Sequence, residues 1–257
     1  MAATYPFGLG LAAMSTPAER PRVGDGLVAS LPIALAYFPV AVSFGVAAAK
    51  AGFSLAEATF MSVIIFAGAS QFLALALLAG GAAPLLAVLS LLAMNARHLL
   101  YAPALLEQVK RRAGAAPRTR WAWLWAWGLS DEVFASAIGR VAAGSLAWRE
   151  GWQAGIGLGA YLAWTSGTVV GAVLGGGAFE RWPAVDAALG FLMPALFVSL
   201  LLAMFERRHL PAVAAAVVGF GVGAALTTPS TGLLVGMLAG GLAGAVGGAG
   251  PQGGGAE

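Results

Sequence analysis

Long apolar runs follow one another along the 257-residue chain with only short polar breaks between them. A bilayer crossing needs roughly 20 mostly apolar residues. Eight stretches meet that pattern: Leu27–Ala49, Ala58–Leu78, Pro84–Leu106, Trp121–Ala143, Trp152–Gly175, Ala184–Phe205, Leu210–Leu226 and Thr231–Gly248. The last two are short, so the pattern predicts seven to eight transmembrane helices. The longest polar stretch is Glu107–Arg120, which leaves no room for a soluble domain. Residues 1–26 and 249–257 read as loose tails around a membrane domain at 27–248. The expected fold is an all-α integral membrane bundle.

Composition sharpens this. Sixty per cent of residues are hydrophobic and 10% are charged, with 37 glycines and a mean hydropathy of +0.84. Soluble domains average about 45–50% apolar and about 25% charged. A soluble enzyme, a disordered chain and a nucleic-acid binder are excluded. The net charge of +3 reflects basic loops facing the cytoplasm rather than a nucleic-acid footprint. With no cysteine and two histidines, His98 and His209, neither a metal site nor a cofactor is expected. Arg20 and Arg22 precede an apolar run, as in a signal peptide. That run is long enough to span and lacks a small-residue cleavage site, so it reads as the first crossing.

Lys110, Arg111, Arg112, Arg118 and Arg120 place the 107–120 loop in the cytoplasm. Eight full crossings then leave seven basic residues inside against six outside, nearly a tie. One re-entrant or broken segment in the first half would bring both the N-terminus and this loop inside. A weak similarity at a shift of 125 residues aligns Phe66, Phe72, Leu75 and Leu77 with Phe191, Phe197, Leu200 and Leu202. It is consistent with two repeated halves containing broken or re-entrant helices, a recurrent transporter design.

Ionisable groups inside a span cost roughly 2.5–3.5 kcal/mol each on insertion scales, so they mark function or structural pairing. Two clusters occur. In the third span, Asn95 and His98 share one helix face, and Arg97 and Tyr101 share another. Arg97 offers a planar cation suited to a carboxylate, and His98 could relay a proton. In the fourth span, Asp131 and Glu132 follow Ser130 and point about 100° apart on a helix. One acid then faces a cavity and the other a helix contact, and burial favours a proton-carrying role. Two readings stand. An Arg97–Asp131 or His98–Glu132 ion pair ties spans together, or the cluster binds a zwitterion, and the two can coexist.

The run Phe66–Phe72 puts Gly68, Ser70 and Gln71 at membrane depth, where an unwound turn or a packing seam would serve equally. Pro39 can kink the first span beside Tyr37. Tyr161, Trp164, Thr165, Ser166 and Thr168 make the fifth span semi-polar. Trp121, Trp123, Trp125 and Trp127 suggest an interfacial aromatic belt. Gly232, Gly236, Gly240, Gly244 and Gly248 form a strict fourth-residue stripe, and Gly167, Gly171 and Gly175 a shorter one. Both read as packing surfaces. The partner helix belongs either to this chain or to another subunit, which leaves a higher oligomer open. No nucleophile elbow, P-loop or HExxH motif is present, so no enzyme is expected.

Read together, FAGASQF (Phe66–Phe72), NARH (Asn95–His98) with Tyr101, and SDEVFA (Ser130–Ala135) resemble the AzlC family over roughly Leu27–Thr228. AzlC proteins are the large subunits of branched-chain amino acid exporters. The resemblance implies a multi-pass inner-membrane permease that exports leucine, isoleucine, valine and sometimes methionine. It implies proton-driven, secondary-active transport and a small AzlD-type membrane subunit of about four spans. The family's motif positions here are Phe66, Gly68, Ser70, Gln71, Asn95, Arg97, His98, Asp131 and Glu132. The resulting expectation is a cavity among the first four spans. There Gly68, Ser70, Gln71, Asn95, Arg97, Tyr101 and Asp131 bind substrate, with Phe66, Phe72 and Phe134 as apolar walls. His98, Asp131 and Glu132 are the candidates for proton coupling. A passive channel for small neutral solutes and a non-transporting scaffold are the alternatives.

Overall fold

The computed structural model describes residues 22–114, 117–143, 148–175, 177 and 182–248. The predicted tails, 1–26 and 249–257, fall largely outside these residues. The described residues form helices joined by short connections, with no strand among them. In chain order they are α1 (Val23–Ala29), α2 (Leu31–Lys50), α3 (Leu55–Ile64), α4 (Gly68–Ala79), α5 (Pro84–Asn95) and α6 (His98–Ala113). There follow α7 (Ala122–Trp127), α8 (Asp131–Ala143), α9 (Glu150–Leu174), α10 (Pro183–Met204), α11 (Leu210–Leu226) and α12 (Pro229–Gly248). Among the described residues, five helical stretches are long and apolar enough to cross a membrane: Leu31–Lys50, Pro84–Ala113, Glu150–Leu174, Arg207–Leu226 and Pro229–Gly247. In lipid each backbone N–H and C=O must find its partner internally, and an apolar helix achieves this alone. The first helix starts at Val23, inside the predicted tail.

Two of the predicted spans, the second and the fourth, are interrupted, whereas the sixth is the single helix α10. The second divides into α3 and α4. Ser54 and Glu57 close a capping box that starts α3. The chain then extends through Ile65 and Ala67 before α4 begins at Gly68. The third is tightened rather than broken. Ala96 and Arg97 keep helical dihedrals, but Leu99 and Leu100 donate to Ala96 and Arg97, three residues back. The fourth span, expected to run unbroken over Trp121–Ala143, is cut at Gly128–Ser130 into α7 and α8. The Ser130 hydroxyl accepts the Val133 N–H at 3.3 Å, which starts α8 afresh. Asp131 and Glu132 then occupy the first turn of α8, where the helix dipole favours negative charge. They mark a helix start, not a mid-span. Phe66 of the α3–α4 break aligns with Phe191, which lies in uninterrupted α10, so the break is not repeated there. The aligned Phe197 and Leu200 side chains lie outside the described ones.

Glycine sets the closest helix contacts. The α1–α2 arm lies along α9 so closely that a Cβ on Gly155 would come 2.1 Å from the Val23 carbonyl oxygen, and one on Gly45 2.3 Å from that of Thr168. The stripe Gly167, Gly171, Gly175 faces α2. The C-terminal stripe packs within this chain. A Cβ on Gly236 would sit 2.7 Å from the Ala216 oxygen of α11, and Gly232 and Gly240 meet Ala224 and Ala216. Backbones can approach this way only where side chains are absent.

Around α9 the buried core includes Trp125, Leu105, Val133 and Ile156. Trp125 therefore belongs to the core and not to an interfacial belt, whereas Trp121, Trp123 and Trp127 are exposed. At the start of α9 the Glu150 carboxylate accepts the N–H groups of Arg120 (2.8 Å) and Trp121 (2.7 Å) and the indole N–H of Trp125 (2.9 Å). This clip supplies the partners that the six-residue α7 cannot provide for itself. On the other side of α2, Ser43 donates to the Leu189 carbonyl of α10 at 2.8 Å.

Candidate transport site

The interruptions and the tightened turn of the third span bring several of the polar residues together. Arg97, at the α5–α6 turn, reaches Asp131 at the start of α8, with Nη2 2.6 Å from Oδ2. Tyr101, one helical turn beyond Arg97, donates its hydroxyl to the other Asp131 oxygen. The ion-pair side chains are 48% and 43% exposed. The pair is open to whatever fills the space beside it. Phe134 stacks flat on Tyr101, 4.4 Å between centroids, and supplies an apolar wall. His98 sits edge-on to Tyr101, with its Nδ1 3.3 Å from the Asn95 carbonyl oxygen.

Glu132 points elsewhere. Its carboxylate accepts the hydroxyl of Tyr37 from α2. The anticipated His98–Glu132 pair is absent, because two consecutive helical residues cannot serve the same partner face. Tyr37 lies edge-on to Trp164 and Phe66, at 5.3 and 6.3 Å between centroids. Phe66, at the α3–α4 break, in turn meets Tyr161 and Trp127. Tyr37 thus ties Glu132 to one side of an aromatic cluster.

The other predicted residues form two separate groups. Ser70 donates to the Asn95 side-chain oxygen at 2.6 Å and ties α4 to α5. Gln71 is fully buried, donating to Ser62 at 2.9 Å and accepting the indole N–H of Trp164. Ser62 meets Thr168 at 2.7 Å, completing a polar chain between α3, α4 and α9. A Cβ on Gly68 would lie 2.5 Å from the Trp164 ring. Gly68 and Gln71 therefore face packed protein. Phe72 stacks edge-on to Phe44, away from Phe134.

Sequence reasoning noted Tyr37, Trp164 and Thr168 but not their partners, and it did not note Ser62: Tyr37 meets Glu132, and the other three join Gln71. The signal available was their polar groups in apolar spans, each of which must find a partner. An apolar pocket of about 210 Å³ lies between α1, α7 and α9, lined by residues such as Val23, Leu124, Trp127 and Tyr161. It includes none of the charged residues. Among the described residues no group of three or more His, Asp and Glu could hold a metal.

Apolar membrane-crossing helices, with charged side chains meeting where helices are interrupted, define a multi-pass membrane protein. The family model for "AzlC protein" matches residues 32–177, and the chain belongs to that family. It is 43% identical to the inner membrane protein YgaZ of Escherichia coli over 83% of this chain and 87% of that protein. It is 38% identical to an uncharacterized membrane protein of Archaeoglobus fulgidus over 81% and 88% of the two chains. The Bacillus subtilis branched-chain amino acid transport protein AzlC is 27% identical over 76% of this chain and 72% of its own length. No solved structure matches the chain.

Proposed function

We propose that the chain is the large subunit of a two-component, proton-coupled exporter of branched-chain amino acids. Its substrates are leucine, isoleucine and valine, with methionine a further substrate, and a small AzlD-type membrane subunit completes the exporter. The observation that carries this reading is the half-exposed Arg97–Asp131 pair beside interrupted helices. Opening that pair presents a guanidinium and a carboxylate within reach of one another. An amino-acid zwitterion carries the complementary two charges. Its carboxylate takes the planar fork of Arg97, and its ammonium takes Asp131 with the Tyr101 hydroxyl alongside. Phe134 and Tyr101 offer flat apolar faces to an aliphatic side chain. The printed name of the Bacillus subtilis relative supports the same substrate class.

Alternating access follows from ligand exchange. With substrate absent, Arg97 and Asp131 satisfy one another and close the site. With substrate present, each charge has a new partner and the helices that carry them are free to separate. Labelled-leucine efflux from preloaded cells tests this, with and without the small subunit and with and without a protonophore. Efflux that requires the small subunit and is lost with the protonophore supports the reading. Flux indifferent to the proton gradient overturns it in favour of a passive channel. Asp131→Asn is expected to abolish efflux while leaving the protein in the membrane, and normal efflux by that variant overturns the site.

A further inference from the structure

Asp131 and Glu132 are neighbours with partners of opposite kinds. Asp131 faces a permanent cation, Arg97, together with the Tyr101 hydroxyl. Glu132 accepts from Tyr37, and none of the ion pairs among the described residues includes it. A proton arriving on Asp131 would strand the guanidinium without its counter-charge. A proton arriving on Glu132 would instead neutralise a carboxylate held by the hydroxyl of Tyr37, whose ring packs on Trp164 and Phe66, and would leave no cation stranded. Charge balance therefore separates two roles that the adjacent positions would otherwise share.

We infer that Glu132 is the proton-binding residue of this transporter and Tyr37 its positioning residue, while Asp131 serves the substrate. The inference rests on the transport reading above and divides its labour. Ionised Glu132 accepts the Tyr37 O–H. When a proton binds, a new O–H bond forms on the carboxyl group. The Tyr37 hydroxyl must then turn to accept or let go, and its own O–H bond stays intact throughout. Tyr37 belongs to α2, which is locked to α9 through Gly45 and Gly171. Protonation thus loosens or inverts the link between α8 and the α2–α9 pair and leaves the Arg97–Asp131 exchange intact. The other titratable groups nearby are engaged elsewhere. Arg97 and Tyr101 hold Asp131, the His98 ring lies at the Asn95 carbonyl, and Tyr161 donates to the Val63 carbonyl.

The test uses the full chain with its small subunit in proteoliposomes and compares two modes with labelled leucine. One mode is leucine-for-leucine exchange at equal pH, and the other is net transport driven by a pH gradient. Glu132→Gln is expected to keep exchange within a few fold of wild type and to lose gradient-driven transport. Asp131→Asn is expected to lose both. Tyr37→Phe is expected to keep exchange and shift the pH profile of net transport. Glu132→Asp, which retains the carboxyl group, is expected to restore part of the gradient-driven flux, showing that the Gln variant failed for want of a proton site and not of folding. Loss of exchange in Glu132→Gln, or its persistence in Asp131→Asn, overturns the division of roles. A wild-type complex that exchanges no leucine overturns the transport reading itself.

Discussion

Gly171 of α9 and Val42 of α2 are in direct backbone contact: a Cβ on Gly171 would lie 2.0 Å from the Val42 carbonyl oxygen. No rotamer change relieves such a clash, because the obstacle is backbone.

Gly171→Leu is therefore expected to force α2 and α9 apart, costing at least the ~1–3 kcal/mol typical of overpacking. Gly139 offers the control. It lies inside α8 with open space around its missing Cβ. Gly139→Ala is expected to stabilise by roughly 0.5–1 kcal/mol through reduced chain entropy. Thermal melting of the detergent-purified variants reads both signs. A tolerated Gly171→Leu would refute the close pairing.

The Arg97–Asp131 pair is expected to matter for transport far more than for stability. Its side chains are about half exposed. Exposed pairs contribute about 0.2–1 kcal/mol in double-mutant cycles. A cycle of Arg97→Ala, Asp131→Ala and the double variant is expected to give a coupling below about 1 kcal/mol by melting, within that range. All three variants are expected to lose leucine efflux. A coupling of several kcal/mol would make the pair a structural tie.

Trp164 and Gln71 are expected to behave in the opposite way. Trp164→Phe leaves the buried Gln71 oxygen without its indole donor. Such an orphaned group costs about 1–3 kcal/mol. Gln71→Leu in the Trp164→Phe background is expected to recover part of the loss. The apparent KM for leucine is expected to stay near wild type in any Trp164→Phe protein that folds. A large change in KM with unchanged melting would place Gln71 against the substrate instead.

Glu150 holds α7 at a distance from the charged cluster. Glu150→Ala removes the acceptor for three N–H groups at once. Amide exchange over residues 120–127 is expected to accelerate by at least tenfold. This corresponds to loss of about 1.4 kcal/mol or more of local protection. Unchanged exchange would show that α7 is held by packing alone.

The helical class, the membrane setting and the packing role of both glycine stripes were legible in the pattern of residues. The meeting of the two charged clusters was legible too, but the pattern offered Arg97–Asp131 and His98–Glu132 alike and did not choose between them. The cut at Gly128–Ser130 was not legible, because the Trp-rich stretch before it and the Val-Phe-Ala run after it keep hydropathy high across the gap. Hydropathy counts side chains and is blind to a serine that restarts a helix. Pairings at long range escaped for another reason. Tyr37 and Glu132 are 95 positions apart, and Gln71 and Trp164 are 93 apart. Periodicity places a residue on a face but does not say which distant face it meets. The clip at Glu150 was hidden in the same way, as an acidic residue beside Arg149 at an ordinary helix start.

The α11–α12 hairpin turns within Thr227–Thr228 and seals its two arms with glycine. Its two arms contact chiefly one another, with α5 as a further neighbour of α12, and helical hydrogen bonding satisfies the backbone of each arm. Such a hairpin can leave the ribosome and enter the bilayer as a single object, with its seam already closed. Its assembly is then the docking of a finished rod onto its neighbours, not the threading of two separate helices through a crowded bundle.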